Sequence, residues 1–290
     1  MNGPFIAVDW GTTNRRAYRI ESGRATAVER DSRGILAVHR DEFAYEAAAL
    51  RSRWDDLPLL CVGMVGSRRG WREIPYVTTP ASLESLALGA IWVEQNSVAI
   101  TPGVSHVVSD RCDVMRGEEV QFLGAVAAGL APAERLLCQP GTHSKWARVQ
   151  AAQILDFSTA MTGELYSLLR QHSLLAETLE GEAAIGAPFH NGVREGCKQT
   201  LLSSLFGARA AQLLDALPAG DGASFVSGLL IASDVQSQLR GVSEDVYVIG
   251  DAPLGPLYAA AIEALGGRPH MVDSAAAFVA GISKMWQVLA

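Results

Sequence analysis

The N-terminal segment PFIAVDWGTTNRRAYRI constrains the fold more than any other part of the sequence. Residues 4–9 form an apolar run that ends in an acid, WGTTN is a turn, and RRAYRI alternates like a strand that pairs back on the first. Asp9 therefore stands beside Gly11, Thr12 and Thr13, whose amides and hydroxyls are groups that surround phosphate. The pattern predicts a phosphate-binding hairpin, with a hairpin that binds nothing as the alternative.

Two charged residues of this hairpin suit a nucleotide triphosphate. Asp9 is a hard oxygen ligand that can hold Mg²⁺ through water. Arg16, early in the returning strand, can add a charge-assisted contact to phosphate. The hairpin therefore predicts a site for a magnesium-bound phosphate chain.

A second strand, turn and strand begins the other half of the chain, in LLCQPGTHSKWARV. Its turn again combines glycine, hydroxyls and a cation: Gly141, Thr142, His143, Ser144 and Lys145. Two such turns facing each other would clamp a phosphate chain. His143 has no second His or Cys at metal-ligand spacing, so phosphate contact or structural hydrogen bonding is the better interpretation.

The rest of the pattern alternates strands and helices. A third strand and a helix from Asp41 follow the hairpin, and a buried strand begins near residue 58. We predict further helices at 82–94, 117–130, 193–217, 224–239, 256–267 and 274–286, and strands at 97–108, 246–250 and 269–273. Two halves that open alike predict a duplicated α/β protein with its site in the cleft between them.

Composition excludes several classes of protein. The chain has 290 residues, of which 49% are hydrophobic and 19% charged, as in a folded enzyme. A net charge of -7 argues against a nucleic-acid surface, and no apolar run is long enough to cross a bilayer. The four cysteines stand far apart, as buried thiols in a reducing compartment do. We expect a cytoplasmic protein without a membrane or nucleic-acid partner; a homo-oligomer is left open.

Other nucleotide-binding loops are missing from the sequence. It has no GxxxxGK[ST] Walker loop, and no GxGxxG follows the first strand. In VIGDAPL, residues 248–254, a nucleoside ring could approach the backbone at Gly250, although an ordinary strand-to-helix turn fits equally well.

Six motifs in order resemble one known family. DWGTTNRRA, GMVGSRRGW followed by PY, DVMRGEE, PGTHSKW, MTGEL and VIGDAPL are similar to those of the 2-dehydro-3-deoxygalactonokinases, over residues 6–284. This family belongs to the sugar-kinase/Hsp70/actin superfamily. The resemblance implies a duplicated actin-like, ribonuclease H-like fold of two mixed-sheet domains. It also implies ATP- and Mg²⁺-dependent phosphorylation of the C6 hydroxyl of 2-dehydro-3-deoxy-D-galactonate, a small sugar acid, in galactonate breakdown.

The resemblance also assigns parts of the chain. It implies an N-terminal domain at 1–116, a connecting helix at 117–134, a C-terminal domain at 135–272 and a second connecting helix at 273–290. PGTHSK corresponds to the second phosphate motif, and VIGDA, with Gly250 and Asp251, to the adenosine motif.

The superfamily places a general-base carboxylate in the second phosphate turn or at the start of the first connecting helix. The second turn here has no Asp, so Glu118 and Glu119 become the candidates. Asp110, Asp113 and Asp251 are weaker candidates. Acids at a helix start also occur simply because they compensate the helix dipole.

A 2-keto acid carries a carboxylate, for which a guanidinium is the natural partner. The loop GSRRGWREIPY and the RGEE turn offer Arg68, Arg69, Arg72 and Arg116, and Trp71 and Tyr76 can serve as walls beside them. A solvated charged loop is the alternative.

Three other functions remain open at this point. One is a kinase for a related sugar acid such as the gluconate epimer. Another is a ribokinase-type kinase, because AGDGASFVSG at 219–228 resembles that fold's anion-binding turn, although a loop between helices fits better. The third is an actin-like ATP-binding protein that is not a kinase.

Overall fold

The computed structural model describes residues 3–108, 111–198, 200–239, 241 and 243–289. These residues divide into two compact units, one within 1–134, 147–157 and 273–290, the other within 135–146 and 158–272. Among them, no helix is long and apolar enough to span a membrane.

The first half of the chain is rich in strands. Its elements are β1 (Phe5–Trp10), β2 (Arg15–Glu21), β3 (Arg24–Asp31), α1 (Phe43–Ser52), β4 (Leu59–Val62), β5 (Val77–Thr78), α2 (Leu83–Leu88), β6 (Ile91–Glu94), β7 (Val98–Ile100), β8 (Val104–Val108), β9 (Arg111–Met115) and α3 (Glu118–Ala127). The second half continues with β10 (Arg135–Gln139), β11 (Ser144–Gln150), β12 (Gln153–Ala160), α4 (Thr162–His172), α5 (Ala187–Gly196), α6 (Leu201–Leu213), α7 (Gly222–Gln238), β13 (Asp245–Ile249), α8 (Leu254–Ala264), β14 (Arg268–Val272) and α9 (Ser274–Leu289).

The two large sheets share the order of five strands, and the first has a sixth at its edge. The first runs β3-β2-β1-β4-β7-β6 and the second β12-β11-β10-β13-β14. In each sheet a three-strand meander is followed by parallel strands: β4 and β7 beside β1, and β13 and β14 beside β10. A small third sheet has the order β5-β8-β9. The internal duplication predicted from the two hairpins is therefore visible in the sheet topology.

The parallel centre of the first sheet is fully buried. Every residue of β4 is buried between β1 and β7, which explains its nearly all-apolar sequence. The carboxyl ends of parallel strands meet at one edge, where ligands bind in open α/β sheets. Asp9 lies near the end of β1 and Gly63 follows β4, so both lie at that edge.

Three predicted elements differ from the observed ones. The helix predicted at 82–94 ends at Leu88, and residues 91–94 form β6 because they pair with β7. The strand predicted at 97–108 is split between two sheets at Pro102 and Gly103. The helix predicted at 193–217 is two helices, since α5 ends at Gly196 and α6 begins at Leu201. The helix α4 was not predicted.

The segment at 219–228 is a loop followed by a helix. It begins in the connection between α6 and α7, and Gly222 starts α7. A turn before a helix fits both interpretations of this segment. The N-terminal hairpin, which a ribokinase fold does not use, is present and separates them.

Helices α3 and α9 pack with their backbones in contact. A methyl group built on Gly124 would lie 2.0 Å from the Ala277 carbonyl oxygen, and one on Gly281 would lie 2.3 Å from that of Val120. Only glycine fits at either position because the neighbouring atom is backbone and cannot turn away.

We predict that Gly281→Ala lowers the free energy of unfolding by about 1–3 kcal/mol, since the added methyl forces the helices apart. Gly207→Ala is the matched control: Gly207 lies in α6 with no atom within 4 Å of a built methyl. That change is expected to stabilise by about 0.5–1 kcal/mol. Urea unfolding measures both, and equal effects of the two substitutions would contradict the packing argument.

Candidate active site

The first turn is held in place by a neighbouring loop. The carbonyl oxygens of Gly11, Thr12 and Thr13 accept hydrogen bonds of 3.0–3.1 Å from the amides of residues 34–36. A methyl on Gly34 would lie 2.4 Å from the Thr12 carbonyl oxygen, so this contact requires glycine. Thr12 and Thr13 remain exposed. The turn is thus rigid on one side and open on the other.

The two arginines of DWGTTNRR have different roles. Arg15 is buried, lies over the Trp10 ring and pairs with Asp31 at 2.7 Å and Glu46 at 3.0 Å. Arg16 lies directly across from Asp9 in the β1–β2 ladder. Arg15 therefore holds the hairpin on the core, and Arg16 places a positive charge beside Asp9.

The Asp9 residue is partly buried at the end of β1. Burial raises its pKa to about 6, the Glu118 carboxylate adds to the rise, and the Arg16 charge opposes it. A methyl on Gly63, whose φ is +94°, would lie 3.5 Å from Asp9 Oδ1 and 2.9 Å from the Trp10 carbonyl oxygen. The lack of a side chain at Gly63 leaves room beside the carboxylate.

Glu118 and Glu119 begin α3 close to Asp9 and Gly63. A methyl on Gly117, φ +121°, would lie 3.4 Å from the Gly63 Cα, which brings the RGEE turn next to the ends of β1 and β4. Glu119 is fully buried, and both its carboxylate oxygens accept from the Gly117 amide, at 2.7 and 2.9 Å. Burial, with the Glu118 charge, raises the pKa of Glu119 to about 8. Glu118 is partly exposed and accepts from the Arg116 amide at 3.1 Å.

Arg116 and Tyr76 are brought together. The Arg116 guanidinium lies 4.3 Å from the centre of the Tyr76 ring, and Nη2 donates to the Ile74 carbonyl at 2.8 Å. Arg116 is 8% exposed, and its Nε and Nη1 have no hydrogen-bond acceptor in the described part of the chain. Tyr76 is 41% exposed. A buried positive charge is thus covered by an aromatic ring that solvent can reach.

The other predicted substrate residues have different surroundings. Arg68 is exposed and pairs with Glu73 at 3.2 Å. Trp71 packs on the core cluster through Phe43. Arg69 and Arg72 are exposed. The solvated-loop alternative thus describes Arg68, Arg69 and Arg72 better than it describes Arg116.

In the second unit, the PGTHSK turn packs against the start of α4. A methyl on Gly163 would lie 2.4 Å from the Gly141 carbonyl oxygen, and the Glu164 amide donates to the Thr142 carbonyl at 2.9 Å. His143 pairs with the Glu164 carboxylate. The residues of the MTGEL motif therefore hold this turn in position.

The last two residues of the turn face inward. Ser144 is fully buried and hydrogen-bonds the Tyr258 hydroxyl at 2.6 Å. Lys145 is 5% exposed and donates to Thr159 Oγ1 at 3.0 Å. Gly141 and Thr142 are thus the residues of this turn that lie at a cavity.

That cavity has a volume of about 610 Å³ and belongs to the second unit alone. Its wall includes Gly141, Thr142, Thr162, Leu230, Leu254 and Tyr258. Gly250 lies beside the cavity. A methyl built on Gly250 would contact Pro140, the residue before Gly141, at 3.3 Å, and residues 252–254 form part of the wall. Asp251 is exposed, and its carbonyl accepts from the Gly255 amide. A nucleoside fits a cavity of this size and lining.

Sequence reasoning missed the residues that organise this cavity. Thr162, Glu164 and Tyr258 were given no role, although MTGEL was among the six motifs. Of the weaker base candidates, Asp113 lies within β9 and accepts from the Val114 amide, while Asp110 lies outside the described residues.

No group of three or more His, Cys, Asp or Glu side chains that could hold a metal lies among the described residues. Mg²⁺ does not need one, because it keeps several waters and binds through one or two carboxylates and the substrate phosphates. Asp9 fits this role, since its carboxylate is partly exposed and has another carboxylate, Glu118, nearby, and a cation would offset both charges.

Comparison with known proteins identifies the family of this chain. A family model described as 2-keto-3-deoxy-galactonokinase matches residues 9–285. The chain belongs to this family. It is 34% identical to the 2-dehydro-3-deoxygalactonokinase of Escherichia coli, over all of both chains, and 36% identical to a relative of the same enzyme name from Rhizobium meliloti, over 97% of this chain and 96% of the relative.

A solved structure shows the same fold. A crystal structure described as a 2-dehydro-3-deoxygalactonokinase protein from Sinorhizobium meliloti matches with a TM-score of 0.90 and 34% identity, covering 98% of each chain. Both the family and the duplicated actin-like α/β fold expected from the sequence are confirmed.

We predict that Asp9→Asn stabilises the ligand-free protein at pH 8. The folded pKa of about 6 lies above the unfolded value of 3.8, so the neutral carboxyl favours folding and this stability is lost as pH rises from 4 to 6. The gain is expected to reach about 2–3 kcal/mol above pH 7 and to vanish below pH 4.

Asp31→Asn is the matched control, because the Arg15 hydrogen bond holds the pKa of Asp31 below its usual value. That substitution is expected to destabilise at pH 8. Urea unfolding at pH 4, 6 and 8 measures the free energy of unfolding of both variants. An Asp9→Asn protein less stable than wild type at pH 8 would show that the pKa of Asp9 is not raised in the folded protein.

Proposed function

We propose that this chain transfers the γ-phosphoryl group of ATP to the C6 hydroxyl of 2-dehydro-3-deoxy-D-galactonate. The observation that carries the proposal is a series of neighbours: Asp9 beside Glu118, Glu118 on the Arg116 amide, and the Arg116 guanidinium on the Tyr76 ring. It combines a carboxylate suited to Mg²⁺, a second carboxylate, and a buried cation under an aromatic wall. The family name of the relatives supports the same reaction.

We propose that each of the two phosphate turns has a part in binding ATP. The cavity of the second unit would take the nucleoside, beside Gly250, and the Gly141 and Thr142 backbone the phosphates. The first turn, with Gly11, Thr12, Thr13 and Arg16, would contact the phosphate chain that carries the transferred group.

Asp9 would hold Mg²⁺ through water. When bound, the ion supplies charge neutralisation at the phosphate oxygens during transfer. The side chain's contribution is a carboxylate that stays in place because the hairpin and the Gly63 backbone fix it.

Glu118 is the better candidate for the base. A base must come within hydrogen-bond reach of the substrate hydroxyl, and Glu118 is partly exposed, whereas Glu119 is buried with both oxygens on the Gly117 amide. Glu118 would accept the C6 hydroxyl proton as the phosphoryl group moves. Glu119 would hold the start of α3 in position.

Arg116 and Tyr76 would bind the acid end of the substrate. No carboxylate forms an ion pair with Arg116 among the described residues, so its charge is available to attract a substrate anion. Tyr76 offers an exposed ring and a hydroxyl beside it.

An ADP-release assay against a panel of 2-keto-3-deoxy sugar acids, including the galactonate and gluconate epimers, tests the reaction. We expect turnover that depends on a sugar acid, on Mg²⁺ and on ATP, and that is fastest with the galactonate epimer. ATP hydrolysis at the same rate with and without every sugar acid would overturn the proposal.

Glu118→Gln is expected to lower kcat by about 10²–10⁴-fold with little change in either KM, because it removes proton acceptance and keeps the shape. Glu119→Gln is the matched control, with kcat expected within about tenfold of wild type. Steady-state kinetics of both variants decide the assignment. A normal kcat for Glu118→Gln would remove Glu118 as the base.

Arg116→Gln is expected to raise KM for the sugar acid by about 30-fold or more, equivalent to about 2 kcal/mol, with a smaller effect on KM for ATP. Arg69→Gln changes an exposed arginine of the neighbouring loop and is expected to leave both constants within about twofold. An unchanged KM for the sugar acid in Arg116→Gln would show that the acid end binds elsewhere.

A further inference from the structure

A single carboxylate is buried in the middle of α7. Asp234 is 6% exposed, and its neighbours along the helix, such as Ile231, Ala232 and Val235, belong to the apolar core. A buried carboxylate is costly unless its oxygens are hydrogen-bonded. No lysine or arginine forms an ion pair with it in the part of the chain that the structure describes. Its stabilisation therefore comes from neutral donors.

Three donors surround Asp234. Trp146 Nε1 donates to Oδ1 at 2.9 Å, and Oδ2 accepts from Thr162 Oγ1 at 2.9 Å and from the Tyr258 hydroxyl at 2.6 Å. The Tyr258 hydroxyl hydrogen is used in the bond to Asp234. The Ser144 hydroxyl is therefore the donor in its own bond to Tyr258, at 2.6 Å. The carboxylate and its partners form one connected buried network.

The partners come from three separate segments around the cavity. Ser144 and Trp146 are in PGTHSKW, Thr162 starts α4 in MTGEL, and Tyr258 lies in α8 after VIGDAPL. Thr162 and Tyr258 also line the cavity. Through these hydrogen bonds, Asp234 connects the phosphate turn, the start of α4 and the nucleoside side of the cavity.

We propose that Asp234 is a positioning residue for the nucleotide: it fixes the PGTHSK turn and the cavity wall in the arrangement that binds the phosphate and the nucleoside together. This inference rests on the proposed use of the cavity by a nucleotide. Asp234 itself would touch no ligand, since its oxygens are occupied by protein donors.

The chemistry of the network separates two substitutions at this position. An asparagine can accept from Trp146 with its oxygen and donate with its amide to the two hydroxyls, so Asp234→Asn can keep the network. Asp234→Ala leaves three buried donors without an acceptor. Tyr258→Phe removes one hydroxyl, and with it the bond to Asp234 and the link to Ser144, while Trp146 and Thr162 keep their acceptor. Because Tyr258 is 1% exposed, its hydroxyl is not a ligand contact.

The test measures ADP binding by calorimetry and both KM values, at a temperature where each variant is folded. We expect Asp234→Ala and Tyr258→Phe to raise the Kd of ADP about tenfold or more, with KM for the sugar acid within about twofold. Asp234→Asn is expected to remain within about threefold of wild type. Tyr247→Phe is the control, because it removes a hydroxyl of the same unit outside the cavity. Should Asp234→Ala fail to fold, Tyr258→Phe alone decides.

An unchanged Kd of ADP in folded Tyr258→Phe would overturn the inference, as would an equal rise in KM for both substrates. The double variant Asp234→Ala/Tyr258→Phe is expected to bind ADP no worse than Asp234→Ala, because both changes break one network. Wild-type protein that binds ADP but phosphorylates no sugar acid would remove the proposed function and leave this inference standing. Wild-type protein that does not bind ADP would overturn it.

Discussion

The candidate sites depend on carboxylates that are buried without a lysine or arginine in ion-pair contact within the described part of the chain. Three acids at proposed functional positions are partly or fully buried, and each is stabilised differently. Asp9 has Arg16 across the ladder, Glu119 accepts from the Gly117 amide, and Asp234 accepts from three neutral donors. Burial raises the pKa of all three. Such groups cost stability, and they cluster where proteins bind or transform charged ligands.

The sheet topology explains where two of these acids stand. Parallel strands bring their carboxyl ends to one edge, so the end of β1 and the residue after β4 become neighbours. Glycines with positive φ then allow backbones to approach there, at Gly63 and Gly117. A side chain at either position would occupy the space beside Asp9 or separate α3 from the sheet edge.

Local pattern was sufficient for some parts of this arrangement. The two hairpins, the buried strand β4 and the helices α3, α7 and α9 follow from apolar periodicity and turn residues, and the structure has each of them. The helix predicted at 82–94 was wrong because residues 91–94 pair with β7, a contact that periodicity does not encode. Sequence alone also does not distinguish Arg116 from Arg68, whereas the structure shows that Arg116 is buried and Arg68 is exposed.

Asp234 shows why the rest was beyond sequence reasoning. It stands alone in an apolar helix, and its donors Trp146 and Thr162 are 88 and 72 residues away. No spacing rule links positions that the fold alone brings together. The sequence does place Tyr76 near several arginines, but only the fold shows that its ring lies on Arg116.

Phosphorus-31 NMR of the reaction product tests the central claim most directly. With Mg²⁺, ATP and 2-dehydro-3-deoxy-D-galactonate, the account predicts one new phosphomonoester for each ADP formed. Its signal is expected to be split into a triplet by two protons, because C6 carries a primary hydroxyl. Inorganic phosphate as the only new signal, or a phosphomonoester split by a single proton, would contradict the assignment of this chain as a C6 sugar-acid kinase.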